Sequence, residues 1–101
     1  MDISKTKNKC PVFRLSGELD HHNAQDIRRE LDHVIKKYSL SELILDLKDL
    51  KFMDSSGIGV VLGRYKLLKK RHGELYVRNV GRNVDKIFKM SGLYQIIKKI
   101  N

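Results

Sequence analysis

Residues 43–68 read LILDLKDLKFMDSSGIGVVLGRYKLL. Leu43-Ile44-Leu45-Asp46-Leu47 is short, apolar and bounded by polar residues, the pattern of a strand buried in a sheet. The stretch Asp49-Leu50-Lys51-Phe52-Met53-Asp54-Ser55-Ser56-Gly57 then reads as a connecting loop that ends in residues able to cap a helix. Beyond it Ile58, Val61, Leu62, Tyr65 and Leu68 fall on one helical stripe, closed by His72-Gly73, where glycine can take a positive φ. A strand, a loop and a helix in that order are an α/β unit.

The flanking sequence extends the pattern. Ile3 to Lys7 alternates weakly, Asn8-Lys9 is a turn signal, and Val12, Phe13 and Leu15 lead to Ser16-Gly17, so the N-terminus reads as a hairpin. Ala24, Ile27, Leu31, Val34, Ile35 and Tyr38 then repeat at helical spacing, and Asn23 with Asp26 nearly matches a capping box, which predicts a helix over about 23–38. Downstream, Leu75, Tyr76 and Val77 form a short strand. A third helix turns Val84, Ile87 and Phe88 inward and stops at Gly92, and Ile96, Ile97 and Ile100 make a last short apolar segment. The expectation is one α/β (α+β) domain over 1–101, a mixed four- to five-stranded sheet packed by helices on at least one face. No fixed-period repeat or linker divides it.

Composition bounds the function. The 101 residues, 41% hydrophobic and 33% charged, suit one small globular domain with a modest core and exclude a disordered tail. The single Cys10 cannot close an intrachain disulfide, and no charged segment precedes an apolar leader. A soluble, cytoplasmic protein is therefore expected, with no membrane contact. The net charge of +9 invites a nucleic-acid reading. Residues 1–63, however, carry ten basic and ten acidic side chains, whereas residues 64–101 carry eleven basic ones against Glu74 and Asp85. The whole excess lies in the last 38 residues. Those residues hold no aromatic-rich strand, no G-x-x-G clamp and no basic amphipathic recognition helix, so direct nucleic-acid binding stands as the alternative reading.

The densest chemistry is Met53-Asp54-Ser55-Ser56-Gly57-Ile58-Gly59. Two hydroxyls lie between a carboxylate and glycines at a helix start, where orphan amides and the positive dipole end favour an anion. One reading is structural: Asp54, Ser55 or Ser56 caps the helix. The functional reading is that the other serine is exposed and accepts a phosphoryl group. Enzymatic readings fail on spacing. Neither serine has glycine two before and two after it, as a nucleophile elbow requires. Gly57, Gly59 and Gly63 give G-x-G-x-x-x-G, one place late for a dinucleotide loop, and the lysine and hydroxyl of a P-loop are missing. His21 and His22 are adjacent and cannot chelate together, and Cys10, His33 and His72 follow no metal-ligand spacing. Asp20-His21-His22 reads as a surface loop, Cys10 as a small buried hydrophobe, and Lys69-Lys70-Arg71-His72 as a solvated helix end. No metal and no cofactor are expected.

Three stretches together carry a resemblance: Gly17-Glu18-Leu19-Asp20-His21-His22, the block from Phe52 to Lys66, and Met90-Ser91-Gly92-Leu93. In this order and spacing the chain resembles the bacterial anti-sigma factor antagonists of the STAS domain class, most closely the sporulation type. The resemblance implies a partner-switching protein, not an enzyme. In that family the unphosphorylated antagonist binds an anti-sigma factor that is also a serine kinase, with its bound ATP or ADP, and displaces the sigma factor. The kinase phosphorylates the first serine of D-S-S-G, the antagonist lets go, and a PP2C-like, metal-dependent phosphatase resets it. Matched to this sequence, Ser55 is the phosphorylation site, Asp54, Ser56, Gly57 and Ile58 form the docking surface around it, and Glu18, Asp20 and His21 form a second contact. The free protein is expected to be a monomer, and a general-stress sigma regulator is the neighbouring alternative. Family members of this type usually continue into a further helix past the position of Asn101 and are less basic. A phosphate on Ser55 is expected to face the helix-start amides, so that the switch acts through local charge and not refolding.

Overall fold

The computed structural model describes the backbone of residues 3–5 and the whole of residues 10–101. Five strands form one mixed sheet in the order β1-β2-β3-β4-β5: β1 is Ile3–Lys5, β2 Pro11–Leu19, β3 Glu42–Met53, β4 Glu74–Arg78 and β5 Lys98–Lys99. β1 pairs antiparallel with β2, and every later pairing is parallel. The expected N-terminal hairpin is present, while its Asn8-Lys9 turn lies outside the described residues. Three helices make the crossovers: α1 Ala24–Lys37, α2 Ser55–Lys70 and α3 Arg82–Ser91.

Strand alternation sorts the side chains onto two faces. Phe13, Leu15, Leu43, Leu45, Leu47, Leu75 and Val77 join the main core with Ile27, Leu31 and Ile35 of α1, Val60, Val61 and Leu68 of α2, and Val84 and Phe88 of α3. The in-between residues Val12 and Ile44 form a smaller cluster with Cys10 and Tyr76 on the other face, so Cys10 is indeed a buried hydrophobe. Asp46 shares that second face. Burial works to raise its carboxyl, and the Lys48 amide with the Asn79 and Arg78 side chains outweighs burial, holding it below the ordinary range.

Four expectations are corrected. Residues 49–53 continue β3 and are not a loop. Past Leu47 the inward residues come every third position, Leu50 and Met53, because the β2–β3 register shifts between Arg14 and Ser16 and again between Gly17 and Glu18. Such bulges cancel the two-residue alternation that marks a strand in sequence. Gly17, at φ 75, sits at the second shift and carries β2 on to Leu19. On α2 the buried line is Gly57, Val60, Val61, Arg64 and Leu68, while Ile58, Leu62 and Tyr65 are only partly covered. Tyr38, expected on the inner stripe of α1, is exposed, and so are Ile96 and Ile100, leaving Ile97 as the buried member of the last segment.

The fourth correction concerns the end of α2. Its positive φ belongs to His72, not Gly73. Gly73 is needed for space, because a Cβ there would lie 1.5 Å from the Ser41 carbonyl oxygen. Gly92 does stop α3 in the left-handed region, as expected. Downstream, Tyr94 Oη donates to Asp85 Oδ1, and with Lys89 and Lys99 it holds the Asp85 carboxyl down to about 2, fastening the C-terminal segment to α3.

Gly73→Ala is expected to cost about 2–3 kcal/mol in urea unfolding, because backbone must move. Gly63→Ala, with open space at its Cβ, is expected to stabilise by about 0.5–1 kcal/mol. Equal effects would contradict the packing described.

Candidate functional site

Parallel pairing of β2 with β3 ends at Leu19 opposite Met53, so the two following loops leave the sheet side by side. Asp54 joins them. Its backbone N donates to the Leu19 carbonyl at 3.2 Å, and it occupies the N-cap of α2. Oδ1 accepts from the amides of Ser56 at 2.8 Å and Gly57 at 3.1 Å. Oδ2 accepts from the His21 amide at 3.1 Å and lies 3.3 Å from His21 Nδ1. One carboxylate thus satisfies two orphan amides of α2 and pins the β2–α1 loop. Partial burial raises the Asp54 carboxyl, but the amides of Gly57, His21 and Ser56 and the His21 ring outweigh it and hold it below the ordinary value.

The β2–α1 loop is braced internally as well. Asp20 Oδ1 accepts from the amides of His22 and Asn23, Asn23 Oδ1 accepts from the Asp20 amide at 3.0 Å, and Asn23 Nδ2 donates to the Glu18 carbonyl at 2.6 Å. Asn23 stands at the N-cap of α1, yet its side chain caps no helix amide. The expected capping box is therefore absent, because that side chain is already committed to the loop.

The sequence-derived residues fall as follows. Ser55 is the first residue of α2 and is exposed, Ser56 and Asp20 are half-buried, and Glu18 and His21 are exposed. Ile58 leans partly on the core. Gly57 is buried beneath Leu19 and Met53, where a Cβ would lie 2.5 Å from the Leu19 carbonyl oxygen and 2.8 Å from Met53 Cγ. Its part is close approach and not surface contact, which corrects its expected place on the docking surface. A second correction concerns the amides at the start of α2: those of Ser56 and Gly57 are occupied by Asp54 and do not stand open to a phosphate on Ser55.

Three residues near the site escaped the sequence reading. Phe52, 45% exposed, pairs across the sheet with Glu18. Arg64 is buried on α2, its Nε 3.0 Å from Asp32 Oδ1 of α1. Its place four residues after Val60 and four before Leu68 was the available signal. Arg28 lines a groove of about 290 Å³ between the starts of α1 and α2, with His21, Gln25, Ser56 and Gly59; nothing local marks it in the sequence. Among the described residues no cluster of three His, Cys, Asp or Glu is placed to hold a metal, and no helix is long and apolar enough to cross a membrane.

A mixed sheet packed by helices, with a capped serine turn at the carboxyl ends of its parallel strands, is the architecture of a STAS domain. The STAS domain family matches residues 3–101. An anti-sigma F factor antagonist of Paenibacillus polymyxa is 46% identical over 85% of this chain and 74% of its own length. An anti-sigma-B factor antagonist of Bacillus subtilis is 32% identical over 96% and 86%. Among solved structures, the anti-sigma factor antagonist SpoIIAA in its unphosphorylated form superposes with a TM-score of 0.81 at 34% identity, covering 99% of this chain and 87% of that one. The Bacillus cell fate determinant SpoIIAA in its phosphorylated form gives 0.72 at 33%, covering 99% and 90%. This chain belongs to the STAS-domain family of anti-sigma factor antagonists.

Asp54→Ala removes the cap and the loop tie together. It is expected to lower the Tm by roughly 4–8 °C and to speed amide exchange at His21, Ser56 and Gly57. Asp54→Asn, which keeps an acceptor, should lose less. Unchanged exchange at His21 in Asp54→Ala would show that the two loops are held apart from each other.

Proposed function

We propose that this protein is a phosphorylation-controlled partner switch. With Ser55 unmodified it binds an anti-sigma factor that is itself a serine kinase and frees a sporulation sigma factor; phosphorylation of Ser55 ends the complex, and a PP2C-like phosphatase restores it in the cytoplasm. The observation that carries this reading is Ser55 itself, exposed on the first turn of a helix capped by Asp54. Its neighbour Asp54 is ionised and faces the loop that carries Asp20 and Glu18. The stronger likeness to an anti-sigma F antagonist than to an anti-sigma-B antagonist favours the sporulation branch, and SpoIIAA exists in both phosphorylation states.

Charge supplies the mechanism. A phosphoryl group adds roughly −1.5 to −2 charge. Beside Asp54 it meets a carboxylate that already holds the Ser56 and Gly57 amides. In free solution water solvates the dianion. Inside a complex it must be desolvated next to like charge, and a loss of about 3 kcal/mol there is roughly a hundredfold in affinity. Asp54, Ser56 and Ile58 form the contact around the acceptor, and Glu18, Asp20 and His21 form the second contact.

Incubation with the anti-sigma factor kinase of the same genome and ATP, followed by peptide mass spectrometry, should place the label on Ser55; label on Ser56 alone would overturn the assignment. Ser55→Asp is expected to weaken kinase binding by about a hundredfold, and Ser55→Ala to keep binding when ATP is present.

A further inference from the structure

Beside the groove, α1 and α2 are joined by a largely buried ion pair. Arg64 is buried, with its side chain 10% exposed, and Asp32 is its ion-pair partner at 3.0 Å. That contact is out of line for a hydrogen bond from Nε, and Arg64 Nη1 has no acceptor among the described residues. Burial pushes the Arg64 guanidinium below its ordinary value; Asp32 opposes this, and Arg28 adds repulsion. Arg28 lies one helical turn before Asp32, is exposed, and makes no ion pair among the described residues. The one carboxylate at this seam is thus taken by Arg64, and Arg28 stands at the groove without an acidic partner among the described residues.

The same groove is open at its upper end. Gly59 is exposed and a Cβ there would meet nothing within 4 Å, so the start of α2 leaves free space facing Gln25 and Arg28. The space is continuous with the switch loop, because His21 and Ser56 line both. A partner seated over Ser55 is thereby brought to the mouth of the groove.

Resting on the partner-switch reading, we propose that the groove receives an Asp or Glu side chain of the anti-sigma factor, with Arg28 as its counter-ion and Gly59 as the gap that admits it. The carboxylate gives Arg28 the acidic partner it lacks, and Ser56 and Gln25 offer hydrogen-bond groups beside it. Such a contact also complements the rest of the surface. The Glu18, Asp20 and Asp54 loops select a cationic patch on the partner, whereas Arg28 selects an acidic one next to it. Paired opposite charges of this kind fix orientation as well as affinity.

The test is titration of the anti-sigma factor kinase of the same genome, with ADP bound, against four proteins. Arg28→Glu is expected to weaken binding by about thirtyfold or more. Gly59→Gln, which fills the gap, should also weaken binding while raising the Tm, since glycine in a helix interior is unfavourable and its replacement is worth about 4 °C. Wild type and Ser55→Asp are the references. If wild type binds, Ser55→Asp does not, and both groove variants bind like wild type, the groove assignment is wrong and the switch stands. If wild type itself does not bind, the switch reading fails, and the groove assignment falls with it. Weakened binding by Arg28→Glu with full binding by Gly59→Gln would also overturn the proposal, since Arg28 would then act from outside the groove.

Discussion

One carboxylate holds the working end of this protein together. Asp54 engages the Ser56 and Gly57 amides of α2 through Oδ1 and His21 through Oδ2, so helix start and neighbouring loop are fixed to each other through a single side chain. The arrangement depends on the parallel register that ends β2 and β3 at Leu19 and Met53, and on Gly57, the residue small enough to lie against the Leu19 carbonyl. Register, glycine and cap together hold Ser55 at an exposed helix start. On the proposed switch, a charge placed there is felt by whatever docks and is not absorbed by the domain.

The distribution of charge acquires a physical sense on this frame. The net +9 lies in residues 64–101 and not in the stretch of sequence that carries Ser55. Part of it lies at helix ends, as with Lys69 and Lys70 closing α2 and Lys89 closing α3, where cations suit the negative dipole terminus. Around Ser55 the ionised neighbours are acidic, and the basic Arg28 stands one step away, across Gly59. The functional end is thus locally bipolar, although the whole chain is strongly basic.

Most of the fold was legible because its elements obey simple periods. α1 declares itself through Ile27, Leu31 and Ile35, α3 through Val84 and Phe88 with Gly92 as its stop, and the sheet through Leu43, Leu45 and Leu47. Legibility failed where tertiary context breaks the period. The β-bulges turn Leu47, Leu50 and Met53 into a three-residue repeat that mimics a loop. Asn23 has the identity of a cap but is drawn into the β2–α1 loop. Arg64 lies on a buried stripe because Asp32 of another helix meets it there. At the site, the motif marked Asp54 as a candidate cap, but that it holds the Ser56 and Gly57 amides and the His21 loop at once required the hydrogen bonds themselves.

The central claim is that phosphorylation of Ser55 changes charge at a fixed scaffold and does not refold it. Backbone amide NMR shifts of the unmodified and fully Ser55-phosphorylated protein test this most directly. Shift changes confined to residues 18–24 and 53–60, with the amide protection of β2, β3 and β4 unaltered, are the expected result. Changes spreading through the sheet core around Leu45, Val77 and Phe88 would contradict the account.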